Sequence, residues 1–508
     1  MLAPDYLDHA PDRLILLWQQ AEDDILRDVA RRIGKMDTLT PTVNWQLWRY
    51  QQTEAVRKDV VKLLARYTGK SEAEIRRLMQ EAAIAALEAE DAIYFHYGKE
   101  PTPFEESAPL QNLLNAGYRQ TAGSFSNLTA TTANTVSGAF EQALDRAWLQ
   151  VSSGAFDYKT AVKRAVDGLA DSMPYVTYPS GHRDTLEAAC RRAVLTGVNQ
   201  TGAKLQEARM DEMGASFVEV TAHGGARPSH AVWQGRRYHR GGAVDYLGQH
   251  YEDFESATGY GTGAGLCGWN CRHTFFVVFP ELGSPPAWTQ ESLEALNARD
   301  IEYDGRLYTR YEISQMQRAR ERAVRKWKRR YLAEDAAGAD TTASAMKLRQ
   351  ARQSLADFTR ATGGRVDSAR TSVHGFGRSA SSKASYAARK QEQFNAANTE
   401  LQQMREAGTI KAKGRLIESP SAPNEINFAS DHVLQRWAER GMGPMDAERI
   451  IRSSKVAMSQ RNGTQTCYYS ELGFVAIGQD GNVSSIGPLD EGGKKLMEVV
   501  KKHGIPHS

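Results

Sequence analysis

One stretch, from His223 to Pro280, limits what the rest of this chain can build. Two segments, HGGARPSHAVWQGRRY from His223 and YGTGAGLCGWNCRHTFFVVFP ending at Pro280, bracket a loop of low periodicity. Between His223 and His273 stand five of the twelve histidines and two of the four cysteines, beside Trp233, Trp269 and glycines that let backbone approach backbone closely. Upstream, SFVEVTA (Ser216 to Ala222) is β-prone. Downstream, TFFVVF (Thr274 to Phe279) is a continuous apolar run stopped by Pro280, so a strand is expected on each side of the cluster.

His230, Cys267, Cys271 and His273 offer thiolate and imidazole ligands for one structural zinc, and Cys-x3-Cys-x-His brings three of them into one turn. The spacing is not that of a zinc knuckle. The same residues also read as ordinary loop chemistry: His223 and His230 bonded to carbonyls, two cysteines as small buried hydrophobes, and Arg227 clamping a carboxylate. A hydrolytic zinc with an open fourth position and Glu252 or Asp253 as base is a further alternative, although no His-Glu-x-x-His helix accompanies it. GYGTGAG from Gly259 lacks the Gly-Lys-Ser/Thr ending of a phosphate loop and leads into the Cys turn, which argues against nucleotide binding.

GARPSHAVWQG (Gly225 to Gly235), followed by GYGTGAGLCGWNCRH (Gly259 to His273), resembles the signature of the phage minor capsid protein 2 family, relatives of Mu F-type head-morphogenesis proteins. WKRRYLAEDA and RQARQSLADFTRATGG extend the resemblance to about Gly375. It implies a virion protein of low copy number, made in the host bacterial cytoplasm. Its partners are then portal and capsid proteins, and its work is head assembly or DNA packaging and delivery.

At 508 residues the chain exceeds what one core supports, and its composition is that of a globular protein with no apolar run near the ~20 residues of a membrane span. The expected fold is multidomain: a mainly α N-terminal half, with helices in 1–110, then a core domain over 111–304 whose centre is α+β. A helical basic linker over 305–420 and a small α+β domain with an antiparallel sheet over 425–508 complete it. Four scattered cysteines suggest reduced thiols.

Helical periodicity runs from Pro11 to Lys35 and from Val43 to Tyr67, where Gly69 reads as a stop. Ser71 with Glu74 then reads as a capping box opening a third helix. Trp18, Trp45 and Trp48 suit either a core or a docking face. A helix over 183–213 ends at Gly214.

The net charge of +3 hides an asymmetry. Residues 1–304 carry 30 basic and 40 acidic side chains, whereas residues 305–420 carry 24 and 11. Arg318, Arg322, Arg325, Lys326, Arg329 and Arg330 surround one helix and are candidates for non-specific contact with packaged DNA; a solvated helix face is the bland alternative. From Glu334 to Lys413, material rich in Gly, Ser, Ala and Lys reads as flexible or loosely helical linker, with a domain boundary at 415–425.

Beyond Ile426 the pattern becomes a helix over 431–441, another over 444–453, four strands punctuated by Asn-Gly, Leu-Gly and Asp-Gly turns, and a closing helix from Asp490. His432, Arg436 and Arg440 fall on one face of the first helix, a base or acid beside two phosphate-binding cations, as metal-free RNA cleavage requires. The layout resembles small phage nuclease domains of the barnase, EndoU, colicin and RelE types. That resemblance implies an RNA substrate, no cofactor, and completion of the site by Thr466, Tyr468 or Ser485. No second histidine falls among the strands; His503 and His507 are near the end of the sequence. The rival reading is an inert C-terminal domain on a purely structural head protein.

Overall fold

The computed structural model describes residues 2–35, 43–172, 175–177, 182–411, 413–420, 426–428, 435 and 439–506. The chain forms two compact units, Met1–Ser381 and Ser382–Ser508.

The first unit opens with α1 (Pro4–His9), α2 (Asp12–Gly34), α3 (Val43–His96), α4 (Ala108–Ser152) and α5 (Tyr158–Ser172). The ribbon of β1 (Tyr175–Thr177) and β2 (Arg183–Thr185) leads to α6 (Leu186–Met213). The apolar stripe of α2, including Leu14, Trp18, Ile25 and Val29, is wholly buried. Trp18 packs against Phe125 with ring centroids 5.6 Å apart, and Trp45 stacks on Trp48 at 5.3 Å and on Trp148 at 6.4 Å, so these tryptophans belong to the core. α6 stops at Gly214, whose φ of +64° is the left-handed cap a glycine accepts without strain.

The expected break at Gly69 does not occur. α3 runs unbroken for 54 residues, roughly 80 Å at 1.5 Å per residue. Ser71 is buried, and its hydroxyl donates to the Tyr67 carbonyl one turn back at 2.8 Å instead of capping a new helix. Burial of Leu64, Tyr67, Ile75 and Leu78 on both sides of the glycine outweighs its cost of about 1 kcal/mol.

From Gly214 the chain enters a small sheet built from β3 (Phe217–Val220), the short helix α7 (Pro228–Ala231), β4 (Arg237–His239), β5 (Val244–Tyr246), β6 (Gln249–Asp253), α8 (Phe254–Thr258) and β7 (Phe275–Val277). Strand order is β5-β6-β4-β3-β7. The two expected strands are neighbours, paired antiparallel with Val218 opposite Val277. β7 is an edge, and helix side chains satisfy its free backbone groups: buried Glu90 of α3 accepts from Val277 N–H at 3.1 Å, and Gln206 of α6 donates to the Phe275 carbonyl at 2.8 Å. Gln206 also donates to Glu90 at 3.1 Å.

α9 (Gln290–Asn297), the hairpin of β8 (Arg299–Tyr303) and β9 (Arg306–Thr309), α10 (Arg310–Ala336), α11 (Thr342–Ala361) and α12 (Ser368–Thr371) follow, then α13 (Arg378–Glu406), within which the boundary between the units falls. Much of the stretch read as flexible linker is therefore regular helix, because Leu348, Leu355, Phe358, Phe394 and Leu401 are spaced to bury one face of α11 or α13.

The basic cluster of α10 is turned inward. Arg325 is buried and pairs with Glu187; Lys326 reaches Asp171 at 3.0 Å; Arg329 reaches Glu22 at 2.6 Å and Asp23 at 3.3 Å; Arg330 reaches Asp167 at 2.5 Å. Four of the six residues expected to meet DNA thus neutralise acidic side chains of α2, α5 and α6. Arg322 alone of the six is exposed without an ion pair among the described residues, and Arg318 lines a cleft that opens to solvent.

The second unit is a five-stranded antiparallel meander of β10 (Arg415–Glu418), β11 (Val456–Gln460), β12 (Gln465–Ser470), β13 (Gly473–Gly478) and β14 (Val483–Gly487), with α14 (Pro444–Ser453) and α15 (Glu491–Lys502). The Asn-Gly pair lies in the four-residue loop 461–464 that joins β11 to β12, where Arg461, Asn462 and Gly463 have φ of +48°, +56° and +90°. One sheet face packs Val456, Met458, Cys467 and Ala476 against α13 and α15; the other packs Ala457, Tyr468, Val475 and Ile486 against α14. The strand β10 and helix α13 were not foreseen as parts of this domain. The boundary expected at 415–425 lies inside the unit.

Candidate functional site

The His/Cys cluster is assembled by three pieces of chain. His230 sits on α7, whose Pro228 supplies a preset φ in its first turn; Cys271 and His273 sit in the turn before β7; and Asn199 of α6 clamps that turn, its amide donating to the Cys271 and His273 carbonyls at 3.0 Å each. The glycines here answer to crowding. A Cβ on Gly265 would fall 1.9 Å from the Gly259 carbonyl oxygen, so only glycine lets the YGTGAG loop fold back on itself.

His230, Cys271 and His273 are all buried, with ligand atoms within 4.8 Å of one another. Cys271 Sγ lies 3.6 Å from Nδ1 of His230 and 3.6 Å from Nδ1 of His273. For Zn–S of about 2.3 Å and Zn–N of about 2.0–2.1 Å at the tetrahedral angle, S and N ligand atoms stand about 3.6 Å apart. The far ring nitrogens are engaged: His230 Nε2 lies 2.9 Å from the Ala264 carbonyl and His273 Nε2 lies 2.9 Å from Gln234 Oε1. An Nε2–H donating to those oxygens leaves each Nδ1 lone pair facing the thiol, which is how the outer partners of a metal-bound histidine fix its tautomer. Burial holds both imidazoles neutral, His230 at about 4 and His273 well below its ordinary value, and raises the Cys271 thiol. The donor set fits a zinc ion.

Cys267 does not join this group. Its φ of +57° turns the side chain so that Sγ donates to the His273 carbonyl at 3.6 Å. His223 stacks on His273 with ring centroids 4.4 Å apart, while its Nδ1 lies 3.1 Å from the Gly224 carbonyl. Gln234 and Asn199 were not singled out from sequence; only the placement of Gln234 four residues after His230 hinted at a shared face. The alternative base Asp253 is committed as the cap of α8, accepting from Ser256 N–H and Gly242 N–H at 2.9 Å each. Arg227 donates to the Trp269 carbonyl at 2.8 Å, not to a carboxylate.

In the second unit, His432 and Arg436 lie outside the described residues, as does most of the helix expected over 431–441. Arg440 donates to the Ile486 carbonyl at 2.6 Å, which ties it to β14. Thr466 and Tyr468 share the sheet face that packs on α14, with Tyr468 buried and its phenol pKa raised by that burial. Ser485 pairs with Ala476 and so belongs to the opposite face. His503 is bound to Glu400 of α13 at 2.8 Å.

The family model described as phage minor capsid protein 2 matches residues 2–360. Comparison with curated proteins finds no match. Comparison with solved structures finds none either. The family match takes in the His/Cys cluster, the sheet that carries it and the ion-paired α10, and it covers more than two thirds of the sequence; the chain belongs to the phage minor capsid protein 2 family and is a phage head protein.

Proposed function

We propose that the first unit is a structural element of the head, joined to portal and capsid proteins during head assembly or DNA packaging and delivery, and that one zinc ion at His230, Cys271 and His273 staples its central sheet. The observation that carries the zinc reading is the pair of Nδ1 atoms aimed at one thiol at 3.6 Å with both Nε2 atoms already engaged. Such a staple ties together residues 41 positions apart, and because the site does not exist in the unfolded chain its binding free energy adds to the stability of the fold. Contact with packaged DNA through α10 is not favoured, because its cations are engaged internally. Synthesis in the host cytoplasm follows from this reading.

Elemental analysis of the full chain purified without chelator is expected to find about one zinc per chain. Particles made with Cys271→Ser should carry less of the protein by mass spectrometry of purified virions. Metal-free protein that enters particles normally overturns the reading.

A second reading is supported by the extent of the family match, which ends at residue 360, before the second unit begins. In it, that unit is a separate module carried by the head protein, an endoribonuclease working without metal through His432, Arg436 and Arg440. Incubating residues 382–508 with RNA in EDTA tests it. Cleavage that leaves cyclic phosphate ends and is lost in His432→Ala supports it, and intact RNA leaves an inert domain.

A further inference from the structure

We propose that the cavity beside the His/Cys cluster is a phosphate-binding site, anchored by Arg272 from the Cys-x-His turn and Arg318 from α10. The cavity is a cleft of about 410 Å³, open to solvent on one side. Five arginines and two aspartates are among its lining residues, an excess of three positive charges in a small, partly desolvated space.

That charge is poorly compensated from within. Asp8 of α1 is shared among Arg272 at 3.4 Å, Arg191 at 3.8 Å and, from outside the lining, Arg370 at 3.6 Å, all longer than the 2.7–2.9 Å of a well-made charged hydrogen bond; Arg191 and Arg370 have second partners in Asp12 at 3.5 Å and Asp367 at 3.0 Å, and Arg272 has Asp8 alone among the described residues. Asp184 is committed to Arg192 at 2.6 Å. Arg318 has no ion pair among the described residues. Burial first, then Arg370, Arg272 and Arg191, pull its pKa down to about 10, with Asp8 opposing them. Where α10 needed stability alone, at Arg325, Arg329 and Arg330, each cation received its own carboxylate.

A dianion with several acceptor oxygens would answer what is missing. Guanidiniums converging from different elements match a phosphate in charge and in planar, two-pronged donor geometry. Tyr311, Ser314 and Gln315 add neutral donor groups on the α10 wall. The volume is that of a small-molecule site of about 300–1,000 Å³ and exceeds a bare phosphate, so a phosphate monoester also fits. Neither anchor is a metal ligand, but His230, Cys271 and His273 line the same cavity, so the titration is run on chelator-treated and on untreated protein, and the proposal requires binding in both.

Calorimetric titration of the full chain at constant ionic strength tests it, with inorganic phosphate in one arm and thymidine 5′-monophosphate in the other. Saturable phosphate binding is expected, weakened on the order of 10- to 100-fold in Arg318→Ala and unchanged in Arg322→Ala on the exposed side of α10. Binding of both compounds identifies a phosphate monoester site; binding of phosphate alone identifies a free-anion site. In phosphate-free buffer Arg318→Ala should melt no lower than the parent protein, because it removes an unpaired charge, so a loss of binding cannot be ascribed to misfolding. No saturable binding, or binding undiminished in Arg318→Ala, overturns the proposal.

Discussion

Arg329 of α10 donates to Glu22 of α2 at 2.6 Å, and the Glu22 side chain is wholly buried. The contact joins the basic middle of the sequence to its acidic head, with Asp23 beside it 3.3 Å from the same guanidinium. Arg329→Ala leaves two buried carboxylates without their cation and should cost about 3–5 kcal/mol of stability in the first unit. Arg322→Ala should stay within about 0.5 kcal/mol. Denaturant titration of the two variants decides whether the charge of α10 serves the fold.

The proposed zinc site separates the two cysteines. Cys271→Ser and His273→Ala should lose the zinc, whereas Cys267→Ser should retain it, because Cys267 Sγ faces the His273 carbonyl and not the ligand group. Zinc content of each purified variant checks this. Loss of metal in Cys267→Ser would restore the four-ligand set expected from sequence.

Glu90 makes the sheet edge sensitive to pH. Burial raises its pKa from an ordinary 4.5 to about 7, while the N–H groups of Val277 and Gln206 lower it. A carboxyl that binds its proton more tightly when folded gives stability present below about pH 4.5 and lost as pH rises through about 7, worth on the order of 3 kcal/mol. Glu90→Gln should flatten this part of the stability profile between pH 5 and 8, as read by melting temperature across that range.

The second unit sets the limits of any truncation. Residues 382–508 should fold cooperatively, whereas 425–508 lacks β10 and the face of α13 that buries Phe394, Ala397 and Leu401 against the sheet. Circular dichroism melts should show a sharp transition for the longer fragment and none for the shorter. A sharp melt for 425–508 would mean that α13 is dispensable.

The sequence by itself determined those elements whose signal is local: the apolar stripe of α2, the glycine cap of α6, strands β3 and β7 around the cluster, the positive-φ hairpin at Asn462–Gly463, and the family of the chain. It also supplied His230, Cys271 and His273 within a four-member set that included Cys267, on ligand type throughout and on tight spacing for the last three. Only the tertiary structure decided which donor was excluded, because the backbone turn at Cys267 depends on the Gly-rich loop closing on itself. Likewise α3 continued through Gly69 because partners distant in sequence bury its flanks, and β10 and α13 joined the last domain through contacts no local period encodes. The charge blocks are the sharpest case. Coulomb attraction takes no account of sequence separation, so Glu22 and Arg329, 307 residues apart, cancel in space what reads along the chain as an acidic head and a basic, DNA-seeking middle.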